Sequence, residues 1–181
     1  MPQTSNDVIR RYLEDAVAAE KGFETQLQGF AREGDDDEVK ALFATHAEET
    51  RRQYGRLTAR LHDLGGSPST AKSFLAQVFG LAPKPAQVGH QPQERTTQNL
   101  ITGFAVENSE CAMYEALAAA AEAAGDDATE ALAREIQAEE KQTADKIWRF
   151  IASRAKIAFN LLTVAETDPS VNTKTQDNRL I

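Results

Sequence analysis

The chain of 181 residues is long enough for one domain with a substantial core, since 41% of its residues are hydrophobic. Its formal net charge of -8 at pH 7 argues against nucleic acid and anionic membrane surfaces as partners, because both are negatively charged themselves. A single cysteine precludes a disulfide within the chain. Neither a secretory signal pattern nor a long apolar run is present, so we expect a cytoplasmic protein without a membrane span.

Two long helices are predicted in the first part of the chain, where apolar residues recur every three to four positions. The first begins near Asn6 or Asp7, either of which can cap a helix, and ends at Gly34. The second follows the acidic run 35–37, whose negative charge suits a helix N-terminus, and ends at Gly65. Because so short a connection joins them, the two helices should pack antiparallel.

A second helical hairpin is predicted after a long connection. A short helix over about 70–79 and an irregular, proline-containing stretch over 80–93 form this crossover. A helix over about 96–124 follows, and after a tight turn another runs from 128 to at least 151, with apolar positions continuing to about 165. We expect Trp148 in this last helix to pack inside the protein.

These elements predict an all-α fold in which residues 1–165 form an antiparallel four-helix bundle and residues 166–181 form a flexible tail. Two hairpins joined by a long crossover are typical of the ferritin-like arrangement, although other bundle topologies share this feature.

Each predicted helix carries a carboxylate near its midpoint, on the face that is otherwise apolar. A buried carboxylate without a partner is costly, and several at one level would repel one another. The basic residues lie beside these faces, so a metal held by oxygen and imidazole ligands would resolve the conflict. The residues at these positions are Glu20 in the first helix, His46 with Glu49 or Thr50 in the second, Glu107 in the third and Glu140 in the fourth.

Helical spacing adds two pairs to this pattern. His46 and Glu49 lie three positions apart on one face and can reach one metal, and Glu107 and Glu110 have the same spacing. A lone histidine on such a face can equally be a hydrogen-bonded core residue. Tyr114 either packs or donates a hydrogen bond to a ligand carboxylate. Other carboxylates compete for the same role: Glu48, Glu115 and Glu139.

At these positions the chain resembles the bacterial ferritin-like metal-binding family of the YciE/YciF type. The first helix matches its Ala-Glu-Lys motif at 19–21, and the second matches His-x-x-Glu-Thr-x-x-Gln at 46–53. The third matches Val-Glu-x-x-Glu with a later tyrosine at 106–114, and the fourth matches Ala-Glu-Glu-Lys at 138–141. Asn108 stands where the family usually has histidine, and the fourth helix has no histidine. Asn108 thus removes a possible ligand or a neighbour of one. In the broader ferritin-like superfamily two helices each usually supply Glu-x-x-His, whereas here the second helix has the reverse order, so the resemblance implies an asymmetric, mononuclear or weak site.

The resemblance, which covers about residues 8–150, implies a di-iron-type site and an association with stress responses. We expect iron, with manganese or zinc as further options. If the metal is redox active, the expected chemistry is oxidation of Fe(II) by oxygen or peroxide; the sequence leaves open whether the protein is an enzyme. The expected metal ligands are Glu20, His46, Glu49, Glu107, Glu110 and Glu140.

A different class of function competes with this hypothesis. A metal-free bundle could present helix faces to a partner protein or to its own copy, and the apolar continuation from Ile151 to Val164 exceeds what one bundle needs. That continuation also predicts a homodimer or another homo-oligomer. An iron-storage cage is less favoured, because the sequence shows no extra packing elements for a closed shell.

Overall fold

The computed structural model describes residues 4–68 and 89–167, with side chains up to residue 163. The described residues form four long helices and one short 3-10 turn, without any strand, so the all-α prediction is confirmed. The predicted short helix over 70–79 and the tail beyond residue 167 lie outside the described ranges. The helices are α1 (Ser5–Phe30), α2 (Asp37–Asp63), α3 (Arg95–Ala124) and α4 (Asp127–Thr167), and the 3-10 turn Pro92–Glu94 precedes α3.

Capping side chains fix the beginnings of the first two helices. Thr4 caps α1: its hydroxyl accepts from the Asp7 N–H at 3.2 Å, and its own N–H donates to the Asp7 carboxylate at 3.0 Å. The prediction that Asn6 or Asp7 is the cap was therefore wrong, since Asp7 lies in the first turn and completes a capping box. Asp36 caps α2 by accepting from the Val39 N–H at 3.0 Å, as the acidic run predicted.

A glycine with a positive φ lies in each of the two short connections that join paired helices. Gly34, at a φ of 86°, lies in the loop after α1, which ends at Phe30, four residues before the predicted Gly34. Gly125, at a φ of 70°, caps the end of α3 and donates its N–H back to the last turn. Glycine is favoured at both positions because it adopts left-handed backbone angles without steric penalty.

The four helices form two antiparallel hairpins, with α1 on α2 and α3 on α4, and α1 also packs on α3 and α2 on α4. One apolar cluster joins the start of α1 to the ends of α2 and α3, through Leu13, Leu57 and Leu117. A second cluster joins the end of α1 to the starts of α2 and α3. Helices α2 and α3 therefore run parallel, and the chain between them connects opposite ends of the bundle, which is the predicted ferritin-like connectivity.

The two apolar clusters enclose the middle of the bundle from both ends. Burying each large aliphatic or aromatic side chain contributes roughly 1.5–3 kcal/mol, so these clusters hold the polar middle in place. Gly103 permits close packing one turn before Glu107, because a Cβ there would meet the Phe43 ring at 3.1 Å and Ile147 at 3.4 Å. The largest members of the clusters are Ile9, Leu13, Leu57, Leu61, Leu117 and Ile136 at one end and Phe23, Leu27, Phe43, Leu100 and Ile147 at the other.

Helix α4 is longer than its neighbours, with 41 residues against 30 in α3. At 1.5 Å per residue it spans about 60 Å, so it extends beyond the bundle by several turns. Arg154 ties it to the beginning of α2, donating to Asp36 at 2.7 Å. Trp148 is 62% exposed, with its ring 5.1 Å from that of Phe104, so the prediction that it packs inside was wrong. None of the described helices is long and apolar enough to cross a bilayer.

Candidate metal centre

Five of the six predicted ligands lie inside the bundle between the two apolar clusters. Glu20, Glu107 and Glu140 have no exposed surface, and Glu110 and His46 are 1% and 2% exposed. Each occupies a position that continues the apolar stripe of its helix, so the periodicity that buries the core also buries these polar groups. All four helices contribute, and α3 contributes two carboxylates one turn apart.

The geometry of a metal site is clearest around His46. Its Nε2 lies 2.8 Å from Glu107 Oε1 and 4.0 Å from Glu140 Oε2. The three ligand atoms of His46, Glu107 and Glu140 all lie within 4.8 Å of one another. Two ligands of one transition-metal ion, each about 2.1 Å from it, stand at most about 4.2 Å apart. Small side-chain movements therefore suffice to bring these three groups onto one ion.

The buried carboxylates lack enough hydrogen-bond partners. Native proteins leave few buried polar atoms unpaired, because each costs its lost hydration. Here the unpaired atoms face a shared interior and belong to the residue types that bind iron and manganese. The residues thus fit a metal centre. The buried oxygens without a partner are Glu20 Oε2, Glu107 Oε2, Glu110 Oε1 and both oxygens of Glu140.

Burial and mutual repulsion raise the pKa values of Glu20, Glu110 and Glu140 and favour their protonated forms in the absence of metal. Burial raises the pKa of Glu20 from 4.5 to about 8, partly offset by the Tyr114 hydrogen bond. Burial and then the charge of Glu20 raise the pKa of Glu110 well above its ordinary value. Burial, Glu110 and Glu107 do the same for the pKa of Glu140. A metal ion must therefore displace protons, and its binding energy includes that work.

His46 is held between two carboxylates. Burial opposes its positive charge, but Glu107 on one side and Glu49 on the other raise its pKa from 6.5 to about 9. Nδ1 lies 3.4 Å from Glu49 Oε2, whereas Nε2 faces Glu107. Glu49 therefore contacts the nitrogen that points away from the cluster. A carboxylate in this position fixes the orientation of a metal-binding imidazole.

Glu49 is the one predicted ligand that the structure places outside this cluster. Its side chain is 29% exposed, and its Oε1 lies 3.9 Å from Lys146 Nζ. The sequence had left Glu49 and Thr50 as alternatives for the core-facing position, and Thr50 occupies it with 1% exposure. The hydrogen bond from His46 lowers the pKa of Glu49, so this carboxylate stays charged at neutral pH.

Tyr114 donates its hydroxyl to Glu20 Oε1, which resolves the two alternatives that the sequence allowed. The tyrosine is fully buried, and burial together with the neighbouring carboxylates raises its pKa well above the ordinary value of 10. It therefore remains protonated and acts as a fixed donor. This bond directs one oxygen of Glu20 towards Tyr114 and leaves the other, Oε2, without a partner.

The competing carboxylates lie at the surface in ion pairs. Glu139 accepts from Arg56 Nη2 at 2.9 Å and from Gln53 Nε2 at 2.9 Å. Glu48 accepts from Arg51 at 2.7 Å, and Glu115 pairs with Arg134. Cationic partners on adjacent positions would have identified several of these residues as surface groups, because a paired carboxylate needs no metal.

Two further residues clarify the site. Glu24, one turn after Glu20, was not predicted to be buried, yet it is 8% exposed and accepts from Lys21 at 2.8 Å. Its spacing of four from Glu20 was the available signal. Asn108 is exposed and donates to the Phe104 carbonyl at 2.7 Å. Its side chain faces away from the core, so asparagine at this position removes no group from the cluster.

The helix order, the parallel α2 and α3, and the buried carboxylate–histidine cluster define a ferritin-like four-helix bundle. The chain belongs to the family described as Domain of unknown function (DUF892), whose model matches residues 4–158.

Solved structures agree with this assignment. The E. coli stress protein YciF is 25% identical, with a TM-score of 0.73, over 86% of this chain and 99% of that one. YcfI of Rhodopseudomonas palustris, described as a putative structural protein, is 25% identical, with a TM-score of 0.71, over 80% of this chain and 93% of that one. The Vibrio cholerae DPS protein, described as a member of a superfamily of ferritin-like diiron-carboxylate proteins, shares the fold at 12% identity, with a TM-score of 0.58, over 81% and 91% of the two chains.

Proposed function

We propose that this protein binds a redox-active transition metal, iron in the first instance, at the buried centre. The observation that carries the proposal is the group of buried, unpaired carboxylate oxygens in the bundle that contains His46. His46, Glu107 and Glu140 would hold the first ion, and Glu20 and Glu110 would hold a second. Manganese suits the same ligands, and zinc is a further option.

Iron bound in this way would supply electrons to oxygen or to a peroxide. The chain would supply a buried cage and charge compensation by four carboxylates. Glu49 keeps the imidazole of His46 oriented through Nδ1, and Tyr114 fixes Glu20. The stress association of the E. coli relative named above supports a role in limiting oxidative damage, in which the centre would consume Fe(II) together with its oxidant.

Elemental analysis of protein purified without chelator tests the proposal. We expect about one or two iron or manganese ions per chain, as for a mononuclear or dinuclear site. Glu140→Gln should lose them, whereas Glu139→Gln, which changes the adjacent surface carboxylate, should retain them. A wild-type protein that contains no metal and also ignores added Fe(II) and Mn(II) would refute the metal-binding function.

A second candidate function is self-association through α4, either beside the metal function or in its place. Trp148 and Phe159 are 62% and 64% exposed, and they lie three turns apart on the same side of the helix. Large exposed apolar side chains in a row are typical of interfaces. We infer a homodimer or larger homo-oligomer, for which sedimentation should give a mass that falls in the Trp148→Ser, Phe159→Ser double variant. An unchanged mass would contradict the proposed interface.

A further inference from the structure

A groove between α2 and α4 lies beside the buried centre. It contains a cavity of about 390 Å³ with apolar and polar lining residues. The apolar ones are Ala41, Leu42 and Phe150, and the polar ones are Glu38, Thr45, His46, Glu49, Thr143 and Lys146. His46 lines this cavity although it is only 2% exposed, and its Nε2 contacts Glu107 in the centre. The groove therefore borders a residue of the cluster.

Glu49 and Lys146 form the mouth of this groove. The two side chains also line a neighbouring cavity of about 230 Å³, so the pair lies where the two spaces meet. Their charged atoms are 3.9 Å apart, and the side chains are 29% and 47% exposed. A pair so exposed contributes little to stability and is easily opened. This exposed ion pair therefore lies next to the buried His46, which Glu49 contacts through Nδ1.

We propose that divalent cations reach the centre through this groove, with Glu49 as the first carboxylate they meet and Lys146 as a charge that opposes their entry. The inference rests on the proposed metal-binding function. A hydrated cation needs polar groups along its path, because an apolar route would strip its water without replacement. Glu49, Thr143 and His46 are among the lining residues of this groove and supply such groups, whereas apolar clusters occupy both ends of the bundle.

A variant that narrows the groove tests the entry route without changing a proposed metal ligand. Thr45 is exposed and lies in the groove wall, so Thr45→Trp should fill the cavity without changing a ligand. Co(II) absorbance in stopped-flow mixing should then show association and dissociation slowed by the same factor, with the equilibrium Kd unchanged. Ala44→Trp is the matched control, because Ala44 is exposed on the same helix but does not line the cavity. It should bind Co(II) at the wild-type rate.

Changing the charge at the mouth gives an independent test. A unit charge 4 Å from a divalent cation contributes about 2 kcal/mol in water, which corresponds to about thirtyfold in rate. Lys146→Gln should therefore accelerate Co(II) association by up to about thirtyfold at low salt, and the gain should shrink as salt screens the charge. Lys141→Gln, which removes an exposed lysine of α4 that does not line the groove, should leave the rate unchanged.

The outcomes distinguish the two proposals. Equal slowing of both rate constants in Thr45→Trp at constant Kd supports the route. Wild-type rates in Thr45→Trp, or a weaker Kd with unchanged association, overturn it while leaving the metal function intact. A wild-type protein that shows no Co(II) binding at equilibrium overturns the metal function and the route with it.

Discussion

Replacing Glu20 with glutamine measures the electrostatic cost of the metal-free centre. The change keeps the shape of the side chain and an oxygen that can accept the Tyr114 hydroxyl, but it removes the ionisable group. In the folded protein the pKa of Glu20 is about 8, against 4.5 for an exposed glutamate. Between these values the folded state binds one more proton than the unfolded state, so the wild-type free energy of unfolding falls as pH rises.

The size of this effect follows from the pKa. One pKa unit corresponds to 1.36 kcal/mol, so the contribution of Glu20 should reduce wild-type stability by roughly 3 kcal/mol between pH 5 and pH 8. Carboxylates with lowered pKa, such as Asp36 and Glu49, are already ionised throughout this window and add no slope. The Glu20→Gln variant should therefore be nearly as stable as wild type at pH 5 and more stable at pH 8.

Urea denaturation in the presence of chelator, at pH 5, 6, 7 and 8, gives the measurement. Glu139→Gln is the control, because Glu139 pairs with Arg56 at the surface, and its difference from wild type should not vary with pH. Metal at 1,000 times its Kd should reverse the ranking at pH 8, since it stabilises the protein that binds it by about 4.1 kcal/mol and the variant lacks a proposed ligand. A Glu20→Gln effect that is constant across the pH range would refute the reasoning.

Three further outcomes follow from the same centre. Tyr114→Phe should destabilise the metal-free protein by about 1–3 kcal/mol in urea denaturation, because it leaves a second buried oxygen of Glu20 without a donor; unchanged stability would contradict this. Glu49→Ala should weaken Mn(II) binding about 10–100-fold in calorimetry without changing the number of ions bound. Glu49→Gln should recover much of the lost affinity. A smaller number of bound ions per chain would instead make Glu49 a ligand. Mn(II) affinity should rise from pH 6 to pH 8 with proton release, because metal displaces protons from carboxyl groups of raised pKa. Calorimetry in buffers of different ionisation enthalpy measures both the affinity and the number of protons released. An affinity that does not change with pH would contradict the prediction.

The metal-free and metal-bound forms of such a centre differ in more than occupancy. Without metal, the charge of His46 is held by Glu107 and Glu49, and Glu20, Glu110 and Glu140 retain protons because their pKa values are raised. A metal bound as proposed would displace those protons, and His46 would offer it Nε2. The hydrogen bond between Nδ1 and Glu49 could remain in place, so the ring would not need to reorient. The same geometry that stabilises the histidine cation would thus orient the imidazole as a ligand.

The amino-acid sequence is sufficient to specify the helices and the level of the polar layer. A helix repeats every 3.6 residues, so a polar residue that continues an apolar stripe must face the same way as its neighbours. Periodicity alone therefore predicts that Glu20, Glu107 and Glu140 lie inside the bundle, and their burial confirms it. The short loops specify the two antiparallel hairpins, and glycine and aspartate mark the turns, because few other residues satisfy the backbone there.

The margins of each helix face, in contrast, depend on how the helices pack against one another. Glu49 and Thr50 are consecutive, about 100° apart around α2, and the packing of the neighbouring helices decides that Thr50 is covered while Glu49 reaches solvent. Trp148 has a periodic position, yet the described helices cover only one side of it, where Phe104 lies, and it stays 62% exposed. The periodic pattern predicts the centre of the buried face of a helix. The distance and rotation of the neighbouring helix determine how far that buried face extends to either side. Whether a residue of such a helix face joins the buried cluster or stays at its edge, as Glu49 does, is therefore a property of packing.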